Sequence, residues 1–360
     1  MRIAIFHDQY NEIGGAELTV LMMARALQAT IITTNIDYKK IGELGYGDIA
    51  FISIGRVPLS SKGWKQIAMQ YRFWNCDFSS QFDFFIFGGC ASIYAAKKHK
   101  RNLWFCFSPY RGIYDLRYFY TSRFHLPLQA AIELLILFDK YFAKYARVII
   151  TSSMNVARRI HKYYHRDSLV YYIPVQVSNF YSRPHKNYWL CVTRLTPYKR
   201  VELQLKAFAK LPREKLIIVG GASEAHRAYF TELKKKAPTN VAFVGAVYDL
   251  SKIAEFYAYC KGFIITARDE DFGTTPIEAM ASGKPVIAPN DGGNSESIVH
   301  GKTGILIDDI NEDKIVEAVK EIGKDPEKYK EACLEQAKRF GIGIFIEKIR
   351  KEIYEQVTKA

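Results

Sequence analysis

The residues best equipped for chemistry lie in DEDFGTTPIEAM (residues 269–280), directly after an apolar run that reads as a strand. Glu270 and Glu278 stand there with seven residues between them. Thr275, Pro276 and Glu278 have the spacing of a capping box: a hydroxyl at the N-cap, proline at the first helical position and a carboxylate three residues on. The pattern predicts a helix opening at Thr275, with the Glu278 carboxylate returning to the Thr275 backbone. The same helix start would turn N–H groups and a positive dipole end towards a ligand. Thr274 and Thr275 would then donate to phosphate oxygens while Glu278 accepts from a sugar hydroxyl pair. Glu270 has no capping role, so its carboxylate is either solvated or holds polyol hydroxyls.

Two further loops carry groups suited to an anion. In RLTPYKRVE (194–202), Arg194, Lys199 and Arg200 cluster around Pro197 just before a helical pattern. An arginine fork and a lysine point charge suit a diphosphate; a solvated run of charge is the plainer reading. In HDQYNEIGGAELTV (7–20), Gly14 and Gly15 precede an apolar-periodic helix and would let backbone amides face an anion, although such a pair is also a common turn. The spacing is not GxGxxG, which argues against a dehydrogenase-type dinucleotide fold. HGKTG (300–304) ends like a P-loop, but Glu296 occupies the position of its first glycine, so that reading fails. Asp269 with Asp271, and Asp308 with Asp309, are short acid pairs without a neighbouring histidine, and no metal site is assigned.

These loops need strands to hold them. RIAIF (2–6), ATIITT (29–34), DIAFIS (48–53), DFFIF (83–87), NLWFCF (102–107) and RVIITS (147–152) read as buried strands. YWLCVT, KLIIVGG, VAFVG, GFIITA, PVIAP and TGILI repeat the pattern in the second half. Helix-like stretches such as 16–27 and 128–145 separate them. Continuous apolar strands without polar alternation suit a parallel sheet covered on both faces, so the fold class is α/β with two doubly wound domains. The boundary is placed in YYIPVQVSNFYSRPHKNYW (171–189), giving domains 1–175 and 183–342 and a terminal amphipathic helix over 340–356. Ligands of such sheets bind beyond the carboxyl ends of the strands, which is where the three loops lie.

Composition sets the outer bounds. A chain of 360 residues, 49% hydrophobic, can bury two cores and does not read as disordered. No apolar run nears the ~18 residues needed to span a membrane. MRIAIFHDQY lacks the layout of a signal peptide. Six cysteines without CxxC spacing read as reduced, mostly buried thiols of a cytoplasmic protein. The net charge is +14, and residues 1–180 carry most of it, with 22 Lys and Arg against 12 Asp and Glu. A basic first half suggests an anionic partner such as a membrane surface, a phosphorylated lipid or a nucleic acid; surface lysine serving solubility explains it as well.

Taken in order, the motifs resemble those of the group 1 family of retaining nucleotide-sugar glycosyltransferases, which have the GT-B fold. EDFGTTPIEAMASGKPVIA resembles the family's E-x(7)-E signature, RLTPYKR its Arg/Lys diphosphate clamp and GGAE its N-terminal glycine loop. The resemblance implies two Rossmann-like domains facing across a cleft, the first for the acceptor and the second for the donor, with a C-terminal helix (about 343–360) packing back on the first. It implies catalytic roles for Glu270 at the transferred sugar and for Arg194 and Lys199 at the departing diphosphate. Phe272, Gly273, Thr274, Thr275 and Glu278 would bind the donor, Glu278 at its ribose. Gly14 and Gly15 would approach it from the first domain. Transfer would retain configuration and need no cofactor and no divalent metal.

CFSPYRGIYD (106–115) resembles a C-H-T-P-x-R-Y-x-W-D stretch of a mannosyltransferase-like branch, with Phe107 in place of the histidine and Thr151-Ser152 where relatives often have Asn-Ser. His7, Arg111 and Asp115 become acceptor-side candidates, His7 as a source of the missing imidazole. The expected donor is a GDP or UDP sugar, GDP-mannose first, and the acceptor is lipid-linked or an oligosaccharide. No nucleic-acid partner is expected. Residues 110–147 mix aromatics, arginines and an apolar helix, and are expected to dock the first domain on an anionic membrane as a peripheral protein. A core-facing helix with basic ends is the competing reading. The alternatives in function are a sugar-nucleotide epimerase of similar shape and a catalytically impaired sugar-nucleotide-binding protein.

Overall fold

A computed structural model describes residues 1–58, 64–117 and 126–358, and the chain divides into two units. Unit 1 holds residues 1–172 and 345–360, and unit 2 holds residues 173–344.

In unit 1, strands and helices alternate: β1 (Ile3–Phe6), α1 (Gly15–Leu27), β2 (Thr30–Thr33), α2 (Tyr38–Glu43), β3 (Phe51–Ser53), α3 (Trp64–Asn75) and β4 (Phe84–Phe87). Then come β5 (Asn102–Cys106), α4 (Leu126–Ala143), β6 (Ile149–Thr151), α5 (Met154–Tyr164) and β7 (Leu169–Val170). The seven strands run in the order β3-β2-β1-β4-β5-β6-β7, and every pairing is parallel. β1 is central, with Ile5 opposite both Ile31 and Ile86, and all four of its residues are buried. That double coverage explains why IAIF lacks polar alternation. β3 is shorter than the apolar run DIAFIS, because Asp48 leaves the strand to pair with Arg25. The two-residue β7 has too little length to leave a hydrophobic signature of its own.

Phe6 anchors the core of unit 1. Its ring centroid lies 5.2 Å from that of Phe87, 6.1 Å from Phe85, 6.3 Å from Phe73 and 4.9 Å from the His99 imidazole. His99 is fully buried, and burial pulls its pKa below the usual histidine value. As a neutral ring it donates from Nδ1 to the Ala95 carbonyl and accepts at Nε2 from the Phe78 amide, so no polar atom of the ring is left unpaired.

In unit 2 the elements are β8 (Trp189–Val192), α6 (Val201–Ala209), β9 (Leu216–Val219), α7 (Arg227–Lys236), β10 (Val241–Gly245), α8 (Leu250–Tyr259) and β11 (Gly262–Ile264). They continue with α9 (Thr275–Ala281), β12 (Val286–Pro289), α10 (Asn294–Ser297), β13 (Gly304–Ile307), α11 (Glu312–Lys324) and α12 (Lys330–Lys338). The six parallel strands run β10-β9-β8-β11-β12-β13. Gly262 opens β11 beside Trp189, where a Cβ would lie 2.6 Å from the indole ring. A glycine there lets the fully buried Trp189 lie flat while its Nε1 donates to Glu214 at 2.9 Å.

The last helix, α13 (Ile342–Thr358), carries the chain back, and its residues from 345 belong to unit 1. There Phe345 packs edge-on against Phe105, and Arg350 donates to the Ala26 carbonyl at the end of α1. The two sheets share one plan: the strand order reverses between β1 and β4 in unit 1 and between β8 and β11 in unit 2. Such a reversal leaves a crevice at the carboxyl ends of the two central strands, the favoured ligand position of an open α/β sheet. Phe6→Ala should lower stability by about 3–5 kcal/mol, as measured by denaturant unfolding, because it removes the ring on which these aromatic contacts converge.

Candidate active site

In unit 2 the loop after β8 and the loop after β11 meet at the reversal point. Lys199 Nζ donates to Glu270 Oε2 at 2.5 Å, and the two side chains are only 10% and 16% exposed. Burial acts to lower the Lys199 pKa, but the Glu270 charge outweighs it, so the ammonium titrates above its ordinary value and stays charged at neutral pH. The backbone beneath is tied by Thr266, whose hydroxyl donates to the Lys199 carbonyl at 2.8 Å and accepts from Gln204 Nε2 at 2.9 Å. Arg200 adds a bond from Nε to the Thr266 carbonyl at 2.8 Å, while its own backbone sits in the left-handed region at φ 51°. Arg194 is exposed, and its guanidinium reaches the Tyr198 hydroxyl at 3.3 Å.

The Glu270 loop is held from below by the turn after β12. The Gly293 amide donates to the Glu270 carbonyl at 2.8 Å, and the Asp291 carboxylate accepts from the Asp269 amide at 3.1 Å. A Cβ on Gly293 would come within 2.3 Å of the Phe272 Cα, so only glycine lets the two loops approach this closely. Phe272 is fully buried, its ring centroid 5.6 Å from that of Phe340; it supports the loop from the core rather than offering its ring to a ligand. Asn294 follows the glycine pair with its side chain fully buried, and neither its amide nitrogen nor its oxygen has a hydrogen-bond partner among the described residues.

The helix start differs from the capping-box expectation. α9 begins at Thr275 itself, its N-cap is Thr274 and Pro276 is the second helical residue, so Glu278 lies one position too far along to close the box. Its carboxylate turns instead to Tyr257 on α8, whose hydroxyl donates to Oε2 at 2.8 Å, and the Thr274 hydroxyl bonds to it as well. Burial raises the Glu278 pKa against the lowering effect of those two hydroxyls. Gly273, at φ 78°, makes the turn that presents Thr274 and Thr275 at the head of the helix.

Unit 1 has its own cluster at its reversal point. His7 directly follows β1 and is buried, with Nδ1 donating to the Gly88 carbonyl at 2.7 Å and Nε2 3.4 Å from Glu17 Oε1. The other Glu17 oxygen accepts from the Gly14 amide at 2.8 Å, a capping contact at the N-terminus of α1. Burial alone would lower the His7 pKa and raise that of Glu17. Their mutual attraction outweighs both effects, leaving His7 raised and Glu17 lowered, as a charged pair requires. Asp8 accepts from the amides of Ala91 and Ser92 at 3.0 and 2.9 Å and so fixes the loop after β4. Arg111 and Asp115 pair with each other, Nη2 to Oδ2 at 2.7 Å. Phe107 packs against Phe105 with ring centroids 4.7 Å apart.

The structure thus brings Arg194, Lys199, Glu270, Phe272, Gly273, Thr274, Thr275 and Glu278 to one edge of unit 2, and His7, Gly14 and Gly15 to one edge of unit 1. Tyr257, Thr266, Asn294, Asp8 and Glu17 escaped the motif reading. Only Glu17 left a readable signal, its position three residues after Gly14, which is the spacing of a cap. Among the described residues no group of three or more His, Cys, Asp or Glu is arranged to hold a metal ion. All six cysteines are free thiols.

Comparison with known proteins matches residues 178–340 to the family described as Glycosyl transferases group 1. Unit 2 belongs to that family. The chain is similar to an uncharacterized glycosyltransferase of Methanocaldococcus jannaschii, 25% identical over 226 residues that cover 61% of this chain and 63% of that protein. It is 31% identical over 149 residues, 37% of each chain, to the GDP-mannose-dependent alpha-(1-6)-phosphatidylinositol monomannoside mannosyltransferase of Mycobacterium tuberculosis. The chain spans less than two thirds of the length of these curated relatives. Among solved structures, Anabaena HepE in complex with UDP and glucose superposes with a TM-score of 0.81 at 19% identity, covering 99% of this chain and 100% of that one. Sucrose-phosphate synthase of Thermosynechococcus elongatus gives 0.82 at 16% identity over the whole of both chains. These likenesses establish the GT-B fold class of two doubly wound units.

In the group 1 glycosyl transferase unit, the buried ion pair can be tested by a double-mutant cycle. Lys199→Met and Glu270→Gln should each destabilise by about 3 kcal/mol, since each leaves a partner without its counter-charge. The double variant should cost less than the sum, with a coupling of about 1–3 kcal/mol in denaturant unfolding.

Proposed function

We propose that the protein is a retaining hexosyltransferase that moves a sugar from a nucleotide-sugar donor, GDP-mannose first, to a lipid-linked or glycan acceptor without a divalent metal. The observation that carries this reading is the meeting of Lys199, Glu270, Arg194 and the Glu278–Tyr257 pair at the carboxyl edge of the unit 2 sheet. The donor is drawn from the relatives whose names specify GDP-mannose.

The residues divide the work by chemistry. As the glycosidic bond to the diphosphate breaks, negative charge grows on the leaving phosphate. Lys199 and Arg194 are cations set before the reaction begins, and they stabilise that charge without reorganising. The first turn of α9, with the Thr274 and Thr275 hydroxyls, adds hydrogen-bond donors. Glu278 offers carboxylate oxygens to the ribose hydroxyl pair, its orientation held by Tyr257. Glu270, tethered by Lys199, accepts from hydroxyls of the transferred sugar. Attack on the same face as the departing diphosphate lets a phosphate oxygen take the acceptor's proton, which retains the anomeric configuration. On the acceptor side, His7, Arg111 and Asp115 are the polar groups available, and Phe107 supplies no imidazole.

Incubation with GDP-mannose and a polyprenyl-phosphate or phosphoinositide acceptor should release GDP and a glycosylated product. Glu270→Gln should lower turnover by about a hundredfold while leaving the affinity for free GDP nearly unchanged in calorimetry. An isomerised donor would identify an epimerase, and donor binding without turnover an impaired binding protein. Failure to bind any GDP or UDP compound would overturn the donor-site assignment itself.

A further inference from the structure

On unit 1, α3 and α4 both pack on the short helical turn Ser92–Ala95, and Trp74 of α3 meets Phe142 of α4 with ring centroids 6.3 Å apart. Each helix turns one apolar face inward: α3 buries Met69 and Phe73, and α4 buries Ile136 and Phe142. Each also carries a second apolar face that is exposed among the described residues. On α3 this is Trp64, Ile67, Tyr71 and Trp74, spaced as one helical stripe and between 39% and 71% exposed. On α4 it is Leu134, Leu137, Phe138 and Tyr141, again one stripe and between 40% and 64% exposed. Scattered exposed apolar residues are ordinary, but two adjacent stripes of large side chains form a patch that marks an interaction site.

The charges around the patch indicate what it meets. Lys97 donates to the Tyr141 hydroxyl at 3.0 Å and lies over the Tyr141 and Tyr145 rings, Lys98 reaches the carbonyl at the end of α3, and Lys144 is one turn beyond Lys140. Acids are sparse on these helices. α3 contains none; on α4, Asp139 is buried beneath the hydroxyls of Tyr114 and Tyr164, and Glu133 is paired with Arg117 at 3.0 Å. The exposed Asp77 just beyond α3 caps its own turn at Ser79. Tryptophan, tyrosine and leucine bordered by lysine are suited to the headgroup layer of an anionic bilayer, where rings and aliphatic chains enter the interface and ammonium groups meet phosphates. A two-fold contact with a second copy would set the lysines of one chain near those of the other. Among the described residues no helix is long and apolar enough to cross a membrane, so the contact is superficial.

We infer that the outer faces of α3 and α4 lay unit 1 on an anionic phospholipid surface. The sequence-based docking region (110–147) included α4 but not α3, and its residues 118–125 lie outside the described residues. The inference rests on this surface and not on the donor site, so the two stand or fall separately.

Flotation of the full chain with phosphatidylcholine vesicles, with and without phosphatidylglycerol, tests it. Binding should require phosphatidylglycerol and weaken with salt. It should fall about fivefold for each of Lys97, Lys98 and Lys144 replaced by glutamine. It should be lost in Trp74→Ser/Leu137→Ser, but retained in Tyr248→Ser, an exposed aromatic of unit 2 changed as a control; circular dichroism checks that each variant is folded. Equal and negligible binding to both vesicles overturns the inference, as does a folded Trp74→Ser/Leu137→Ser variant that floats like the parent. Concentration-dependent dimerisation abolished by Leu137→Ser, without vesicle binding, would assign the face to self-association and overturn it too.

Discussion

Lys199 and Glu270 meet at 2.5 Å where the strand order of unit 2 reverses, in a position too dry for either charge to be stable without compensation. The pair joins the loop after β8 to the loop after β11, so the geometry of one loop is set by the other. Its contribution to stability depends on pH in a defined direction. Lys199 titrates above its ordinary value in the folded chain, so the stabilisation is complete below that ordinary value and is lost as pH rises through the raised one. Around neutrality Lys199 is therefore charged. Placing a lysine against a glutamate also spares the site a rearrangement: a ligand carrying its own negative charge meets a cation already ordered and partly desolvated.

The rest of the edge is arranged to keep that pair in place. Thr266 holds the Lys199 carbonyl from beneath, and the Gly293 amide holds the Glu270 carbonyl from the side. The absence of a side chain at Gly293 is what allows the second contact, because a Cβ there would collide with the backbone at Phe272. Three loops that are far apart in sequence thus form one rigid shelf. Rigid support of this kind is what a site needs if its charges are to be aimed before substrate arrives.

Much of this was legible in the sequence, for reasons that differ by element. The strands declared themselves because both faces of each sheet are covered, which leaves runs such as IAIF and VIAP without polar alternation. The site loops were legible because their residue types are rare together: glycines, an arginine, a lysine and two glutamates at strand ends. What misled was a local rule met by a tertiary competitor. Thr274 and Thr275 are equally competent N-caps, and nothing in TTPIEAM chooses between them. The choice is made by Gly273 turning at φ 78° and by a buried tyrosine, Tyr257, on another helix that draws the Glu278 carboxylate away from the backbone. Asn294 and Asp8 were illegible for the same reason, since their roles depend on what packs around them.

The cluster in unit 1 shows how one residue type can change its task with its surroundings. His7 stands at the end of β1 beside a glycine loop, a place from which an imidazole could serve an acceptor hydroxyl. Its Nδ1 is committed to the Gly88 carbonyl and its Nε2 faces Glu17, whose other oxygen holds the Gly14 amide. Both ring nitrogens are engaged and the Glu17 charge favours the protonated ring, so this histidine is poorly placed to take a proton from a ligand. Its ring is better placed to hold Glu17, and through it the glycine turn, in one shape. His7 therefore does not replace in kind the imidazole absent at Phe107, and in the transfer proposed above it is the leaving phosphate that takes the acceptor's proton.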